Sequence, residues 1–262
     1  MIVVKIGGEL LNNLSNIAED LKSISEGIVI VHGGGDEVTK IAEKIGKKQV
    51  FVVSPEGIRS RYTDGEDIKI YLMVMAGLIN KSVVLSLAKY GLKTIGLCGV
   101  DLSLLIAKRK KKLIIVDERG RMVAINGDYS GKIELVNVGV LNMLVGNGYI
   151  PVIAPVAMSL DYEFLNVDAD SVASSIASSI KASSLIFLTD VEGVIINGKK
   201  ADVIRIQDID STLKSIGFGM NRKVMVAANA VKMGVGKAII ASGYTSNPVT
   251  KAINGISGTV IM

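Results

Sequence analysis

The 262-residue sequence predicts an α/β protein with an open, mostly parallel sheet and helices on both faces. Short apolar runs such as Ile28-Val29-Ile30-Val31 are typical of strands that are buried on both sides. Between these runs, apolar residues recur at three- and four-residue steps, which is typical of helices. The two patterns alternate along the chain, and such alternation predicts parallel strands that are joined by crossover helices.

The first two predicted units each consist of a strand, a group of glycines and a helix. The first strand ends in Lys5-Ile6-Gly7-Gly8, and the second ends in His32-Gly33-Gly34-Gly35. Apolar spacing predicts the two helices that follow, over residues 10–24 and 38–45.

The remaining elements follow from the same criteria. We expect strands over 49–53, 94–98, 150–154, 185–189, 238–241 and 259–262, and helices over 67–90, 141–145 and 221–233. A hairpin is predicted over 113–125 with Gly120 at its turn, and a polar loop over 54–66. Residues 171–184 are half serine, but Val172, Ile176 and Ile180 repeat every four residues. We therefore predict a helix there, capped by Asp168 or Asp170.

Composition narrows the class of protein and its expected compartment. Apolar residues make up 49% of the chain and the mean hydropathy is +0.44, yet no uninterrupted apolar run reaches the roughly 18 residues of a membrane helix. The N-terminus lacks the cationic start of a signal peptide. Cys98 is the only cysteine, which excludes an internal disulfide and fits a reducing cytoplasm. We expect a cytoplasmic protein that does not bind membranes.

The positive charge of the chain is concentrated in one segment. The net charge of +5 arises from 30 basic and 25 acidic residues, and the run from Lys108 through Arg109, Lys110 and Lys111 to Lys112 accounts for the whole excess. The run could be a solvated loop, a nucleic-acid contact or a docking patch for an acidic partner. Nucleic-acid binding is the weaker reading because no aromatic residue interrupts the run to stack on a base.

The glycine segments are the main indication of chemistry. Glycine allows backbone N–H groups to approach an anion closely, and a helix N-terminus adds partial positive charge. A single glycine pair is often explained by a tight turn alone. Two such segments after adjacent strands, one of them with Lys5, are instead suited to phosphoryl transfer. For His32, the only histidine, a structural role is favoured over that of a general base.

Five motifs in order resemble those of the amino acid kinase family, and most closely its N-acetylglutamate kinase branch. They are Lys5-Ile6-Gly7-Gly8, His32-Gly33-Gly34-Gly35, Asn166-Val167-Asp168-Ala169-Asp170, Thr189-Asp190-Val191-Glu192-Gly193 and Gly219-Met220-Asn221-Arg222-Lys223. The resemblance implies two lobes that share one continuous sheet. Residues 1–167 would form the lobe for the acceptor substrate, and residues 168–262 the lobe for ATP.

One loop indicates the acceptor. Arg59-Ser60-Arg61-Tyr62-Thr63-Asp64 resembles the kinases that phosphorylate aminoadipate or glutamate attached to LysW, a small acidic carrier protein, in lysine and arginine synthesis. The basic run would then dock this carrier. A kinase of free N-acetylglutamate remains the alternative, and a non-catalytic sensor of nucleotide or amino acid is a further one, disfavoured because Lys5, Lys223 and Asp170 are all present.

The resemblance also implies roles for single residues. Lys5 and Lys223 would stabilise the transition state, with Asp170 holding both lysines. Gly34 and Gly35 would bind substrate and phosphoryl oxygens, and Arg61 and Asn166 the α-substituent of the substrate. The phosphate and ATP contacts would come from Gly7, Gly8, Gly33, Asp190, Val191, Gly193, Val194 and Met220. Mg²⁺ would arrive with ATP without a dedicated ligand cluster, and the family suggests a homodimer.

Overall fold

Eight strands form one sheet across the middle of the computed structural model, which describes residues 1–217 and 219–262. The strands along the chain are β1 (Ile2–Ile6), β2 (Ile28–His32), β3 (Val50–Val53), β4 (Arg59–Tyr62), β5 (Thr94–Cys98), β6 (Leu105–Arg109), β7 (Lys112–Val116), β8 (Met122–Asn126), β9 (Gly131–Val136), β10 (Ile150–Ala154), β11 (Val156–Met158), β12 (Phe164–Asn166), β13 (Ser184–Thr189), β14 (Ile195–Ile196), β15 (Lys199–Lys200), β16 (Val203–Ile204), β17 (Ala238–Ser242) and β18 (Thr259–Ile261).

Helices flank the sheet on both faces. They are α1 (Ser15–Leu21), α2 (Gly35–Lys44), α3 (Asp67–Leu72), α4 (Asn80–Ala88), α5 (Val138–Gly146), α6 (Ala169–Ser179), α7 (Ile209–Lys214), α8 (Met220–Lys232) and α9 (Pro248–Ile253). A π-helical segment, Met73–Ile79, joins α3 to α4. Short 3-10 turns cover Gly8–Leu10, Asp101–Ser103 and Ile206–Asp208.

The central sheet has the order β16-β18-β17-β13-β1-β2-β10-β5. Its pairs are parallel except β17 with β18, so the predicted mostly parallel α/β fold is confirmed. Ile2, Val4 and Ile6 of β1 pack into the core on one face, and Val3 packs into the core on the other. The sheet runs without interruption from strands that precede residue 155 to strands that follow residue 183. The boundary between lobes at residue 167 stays a prediction.

Smaller sheets accompany the central one and were only partly predicted. The hairpin β7–β8 and the strand β3 are confirmed, whereas β4, which pairs with β3, and the four-stranded sheet β12-β11-β6-β9 were not predicted from the sequence. The expected loop over 54–66 contains β4, whose residues Arg59-Ser60-Arg61-Tyr62 lack the apolar alternation of a typical strand. The basic run ends β6, turns at Lys110 and Lys111, and begins β7. The first helix is shorter than expected, because the chain makes a 3-10 turn before α1 begins at Ser15.

One continuous helical stretch, Asp67–Ala88, is long and apolar enough by composition to cross a membrane. Of its most apolar 18-residue window, 44% is buried within the protein. Met75, Ile79, Val83 and Leu87 belong to the core below the sheet. The stretch therefore has the composition that a core helix requires, and this composition alone is weak evidence for a membrane span.

Candidate active site

The two glycine loops lie in contact at the carboxyl edge of the central sheet. β1 and β2 are parallel, and Ile6 is paired with His32, so their glycines begin at the same level. A Cβ atom placed on Gly8 would lie 3.0 Å from the nitrogen of Gly34, which has a φ of +141°. Only glycine fits such an approach and such a backbone conformation without strain.

These loops present free N–H groups. Among the described residues, no acceptor takes a hydrogen bond from the N–H of Gly8, Gly34 or Gly35. By contrast, Gly7 N–H donates to Leu188 O, and Gly33 N–H donates to Ile6 O. The N–H groups of Gly8, Gly34 and Gly35 can therefore bind an anion directly, whereas Gly7 and Gly33 contribute mainly by letting the two loops approach each other.

Asp170 lies between two lysines beside the glycine loops. Its Oδ2 accepts a hydrogen bond from Lys223 Nζ at 2.7 Å, and Lys5 Nζ lies 2.9 Å from its Oδ1. Lys5 comes from β1, Asp170 from the first turn of α6 and Lys223 from α8. The Lys5 contact is an ion pair rather than a well-directed hydrogen bond, since Oδ1 has no hydrogen-bond donor among the described residues.

Burial and charge act in opposite directions on this cluster. Burial raises the pKa of Asp170, but the charges of Lys5 and Lys223 outweigh it and hold this pKa at about 2. Burial lowers the pKa of Lys5, and the Asp170 carboxylate more than reverses this, so the pKa is raised. Asp170 and Lys5 are therefore both charged at neutral pH.

The two candidate caps of α6 have different roles. Asp168 is the cap, because its Oδ1 accepts hydrogen bonds from Ser171 N at 2.9 Å and from Ser171 Oγ at 2.8 Å. Its Oδ2 also lies 3.1 Å from Arg222 Nη2. Asp170, two residues later, is thereby free to face the lysines.

A cavity of about 360 Å³ opens next to Lys5 and the glycines. Arg61 and Asn166, the predicted substrate contacts, both line it. Arg61 donates hydrogen bonds to Gly35 O and to Thr39 Oγ1, each at 2.8 Å. The apolar part of the cavity wall includes Phe51, Tyr71 and Met75. We call this space the acceptor cavity.

A larger cavity of about 570 Å³ adjoins the acceptor cavity. Arg59, Arg61, Asn166, Val167 and Asp168 line both spaces. The remaining polar wall of the larger space includes Lys110, Lys132 and Arg222. We call Arg59, Lys110, Lys132 and Arg222 the basic rim.

Most of the basic rim carries unneutralised charge. Within residues 1–217 and 219–262, no carboxylate lies within ion-pair distance of Arg59, Lys110 or Lys132, and only Arg222 is paired, with Asp168. Lys132 is also directly opposite Lys108 across β6 and β9. Like charges in that position destabilise a sheet unless an anion screens them.

The structure separates the residues of the basic run. Lys108, Lys110, Lys111 and Lys112 are exposed. Arg109 instead donates to Glu163 Oε1 at 2.6 Å and to Asp128 O at 2.9 Å, and its guanidinium stacks on the Tyr129 ring. Its charge is used inside the protein, so the expectation that all five residues dock a partner is not supported for Arg109. Sequence reasoning missed Arg59, Lys132 and Arg222 as rim residues, because they are far apart along the chain.

The predicted nucleotide contacts are only partly presented at the surface. Asp190 and Val191 are exposed just after β13, and Met220 begins the helix that carries Lys223. Gly193 has a φ of +156° and packs against Thr259. Val194 is fully buried and its N–H donates to Thr259 Oγ1, so neither its side chain nor its N–H faces solvent.

His32 is not arranged as a general base. It is fully buried, and burial is the main cause that lowers its pKa to about 4. As for metals, the part of the chain that the structure describes contains no group of three or more His, Cys, Asp or Glu side chains that could hold an ion.

Comparison with known proteins agrees with this geometry. The chain is 46% identical over 264 residues to the LysW-aminoadipate/LysW-glutamate kinase of Sulfurisphaera tokodaii, with 100% of both chains covered. It is 44% identical over 264 residues to the enzyme of that name from Saccharolobus islandicus, covering 100% of this chain and 99% of the relative.

The fold is also similar to that of N-acetylglutamate synthase from Neisseria gonorrhoeae, with a TM-score of 0.81 at 21% identity. That match covers 99% of this chain and 58% of the synthase. Residues 1–242 match the amino acid kinase family. With this match and the full-length relatives, the chain belongs to the amino acid kinase family.

Proposed function

We propose that this protein transfers the γ-phosphoryl group of ATP to the side-chain carboxylate of aminoadipate or glutamate carried on LysW, giving an acyl phosphate for lysine or arginine synthesis. The observation that carries the proposal is the pair of joined cavities. The acceptor cavity meets Lys5 and the glycine N–H groups, and the larger cavity beside it is lined by the basic rim. The names of the full-length relatives support the same substrate.

The chemistry needs no general base. The acceptor carboxylate is ionised at neutral pH, so the obstacle is the approach of an anion to a polyanion. Lys5 and Lys223 supply positive charge on either side of the transferred group, and Gly8, Gly34 and Gly35 supply N–H donors. Asp170 holds both lysines in place by charge-assisted contacts. Such preorganised charges stabilise a transition state because they need not reorient.

The nucleotide would bind over the lobe of residues 168–262. Asp190 and Val191 are exposed there, Met220 in the N-terminal turn of α8 is partly exposed, and Gly193 keeps the loop after β13 close to Thr259. The free N–H groups of the glycine loops suit phosphate oxygens. Mg²⁺ would neutralise phosphate charge and be held mostly by phosphate oxygens.

The basic rim explains why a carrier protein would be the natural form of the substrate. A free amino acid derivative fills only the acceptor cavity, whereas an acidic segment attached to it would continue into the larger cavity. Arg59, Lys110 and Lys132 would face that segment without a competing carboxylate among the described residues, although the Arg59 guanidinium also stacks on the Phe51 ring. Lys108, Lys111 and Lys112 extend the same positive surface outward, and Arg109 supports the wall from inside.

We also propose a cytoplasmic homodimer. Along the π-helical segment and α4, the large apolar side chains of Met73, Leu78 and Leu85 are 60%, 51% and 62% exposed. Contact with a second copy would remove them from water, which is favourable. Analytical ultracentrifugation tests the dimer, and a monomer at micromolar concentration would contradict it.

The substrate proposal is tested by comparing kcat/KM for LysW-linked aminoadipate or glutamate with that for free N-acetylglutamate. Hydroxylamine traps the acyl phosphate, and protein carrying Lys5→Ala, purified in parallel, controls for contaminating kinases. We expect a strong preference for the carrier-linked substrate. A preference for the free compound would overturn the proposal.

A further inference from the structure

His32 ends β2 directly before the glycines of the second loop, and the function proposed above gives it no role. It is the only histidine in the sequence and is fully buried. Its Nδ1 lies 2.9 Å from the carbonyl oxygen of Gly33, and its Nε2 lies 3.2 Å from Asn80 Nδ2. A buried imidazole with partners for both nitrogens is held in one orientation and one tautomer.

Asn80 determines that tautomer. Its amide nitrogen also lies 2.9 Å from Val152 O and, more weakly, 3.4 Å from Leu97 O, and its Oδ1 lies 3.1 Å from Lys81 Nζ. A carbonyl oxygen can only accept and an ammonium group can only donate, so the NH₂ group of Asn80 must face Val152 and His32. His32 Nε2 is therefore the acceptor, and the proton lies on Nδ1, which donates to Gly33 O.

The π-helical segment brings Asn80 to this position. In an ordinary α-helix, neighbouring residues point in directions about 100° apart. The wider π turn places both the fourth and the fifth residue after Met75, which are Ile79 and Asn80, on the side that faces the sheet. Ile79 and Met75 pack against Gly34, and Asn80 reaches His32.

The hydrogen bond to Gly33 sets the direction of the next N–H group. In a trans peptide the carbonyl oxygen and the following N–H point to opposite sides. Because Gly33 O is held towards buried His32, the N–H of Gly34 points away from it. That N–H has no acceptor among the described residues, and Gly34 lines the acceptor cavity together with Gly8.

We propose that His32 and Asn80 are positioning residues that hold the Gly33–Gly34 peptide so that the Gly34 N–H faces the transferred phosphoryl group. The inference rests on the proposed phosphoryl transfer. Glycines on both sides leave this peptide unusually free to rotate. Without the bond from His32, it could turn its carbonyl oxygen towards the anion, which would replace attraction with repulsion.

The first test observes the hydrogen-bond chain without any substrate. Untagged protein labelled with ¹⁵N-histidine gives a single pair of ring signals, because the sequence has one histidine. At neutral pH we expect a protonated Nδ1 and an unprotonated Nε2 in the wild type, and a changed ratio of tautomers in Asn80→Leu. A proton on Nε2 in the wild type would overturn the inference.

The second test separates positioning from packing. Losing an oxyanion donor costs about 10²–10³-fold in kcat, so a donor that is only misdirected in His32→Leu or Asn80→Leu should cost about ten- to a hundredfold, with little change in KM for ATP. His32→Asn should recover much of kcat, because its amide nitrogen can take the place of Nδ1. Val83→Ala, a core substitution in α4, is the matched control and should lower the melting temperature without lowering kcat per folded molecule.

Two outcomes distinguish the possible failures. Folded His32→Leu with wild-type kcat would show that the network only packs the core, and would overturn the inference. Wild-type protein that phosphorylates neither acceptor would refute the proposed function instead, while the tautomer still decides whether the hydrogen-bond chain exists.

Discussion

Lys5 and Asp170 are in ion-pair contact, 2.9 Å apart, although 165 residues separate them in the sequence. Lys5 belongs to the central strand β1, and Asp170 belongs to the first turn of α6. Helix α6 packs on β1 and β2 and also on β13, which follows it in the chain. The contact therefore joins the two predicted lobes at the point where the glycine loops present their free N–H groups.

Replacing either lysine should mainly slow the chemical step. Lys5→Ala and Lys223→Ala each remove one preorganised charge from the transferred group, and such a loss costs about 10²–10³-fold in kcat. KM for ATP should change much less, because the charge acts chiefly in the transition state. Steady-state kinetics measure both constants. Normal turnover in one variant would exclude that lysine from the mechanism.

Asp170→Asn should impair catalysis without abolishing folding. The substitution keeps the shape of the side chain and leaves the α6 cap at Asp168 intact. The lysines lose their common counter-ion and should move, which lowers kcat. Asp20→Asn is the matched control, since Asp20 is also a buried carboxylate but contacts Val249 and Thr250 of α9. Asp20→Asn should reduce stability while its activity per folded molecule stays at the wild-type level. If Asp170→Asn also keeps wild-type activity per folded molecule, Asp170 is purely structural.

The Asp170 contribution to stability should disappear in acid. Its pKa is lowered from 3.8 to about 2 by the two lysines, against the effect of burial, so the folded state favours the charged form. This contribution is present above the unfolded-state pKa and is lost as pH falls towards the folded-state pKa. A shift of this size corresponds to about 2 kcal/mol. The difference in melting temperature between wild type and Asp170→Asn should be constant at neutral pH and shrink below about pH 4. A constant difference down to pH 2 would contradict the assignment.

Removing charge from the basic rim should weaken the encounter with the carrier. We expect Arg59→Ser, Lys110→Ser and Lys132→Ser together to raise KM for LysW-linked substrate while kcat and KM for ATP change little. Added salt should weaken the wild type more than the variant, because screening removes what the variant already lacks.

The matched control for this experiment replaces three exposed lysines that line neither cavity, Lys22, Lys89 and Lys232, by serine. It changes the net charge by the same amount. If control and rim variants have the same KM at low salt, the rim does not dock the carrier. If Lys111→Ser and Lys112→Ser have the larger effect, docking occurs on the outer part of the basic run.

The amino-acid sequence by itself determined the α/β class, because buried parallel strands and amphipathic helices leave short-range patterns of apolar residues. It also determined the glycine loops and the identity of Lys5, Asp170 and Lys223, since each belongs to a local motif. The same local patterns located the hairpin β7–β8 and the serine-rich helix α6. They did not locate β4, which is polar, or β11 and β12, which have three residues each. They also did not locate β6 and β9, which pair with each other across more than twenty residues of chain.

Only the tertiary structure decided which charges remain available. Arg109 and Lys110 are neighbours in one basic run. Arg109 is bound inside the protein by Glu163, Asp128 and Tyr129. Lys110 instead lines the larger cavity together with Arg59 and Lys132. Asp168 and Asp170 could each have capped α6, and the structure places Asp168 at the cap and Asp170 between the lysines of β1 and α8. The role of His32 likewise depended on Asn80, which reaches it through the π-helical segment. Hydrogen bonds and ion pairs act over a few ångströms in space, so their partners are set by the fold and not by proximity in the chain.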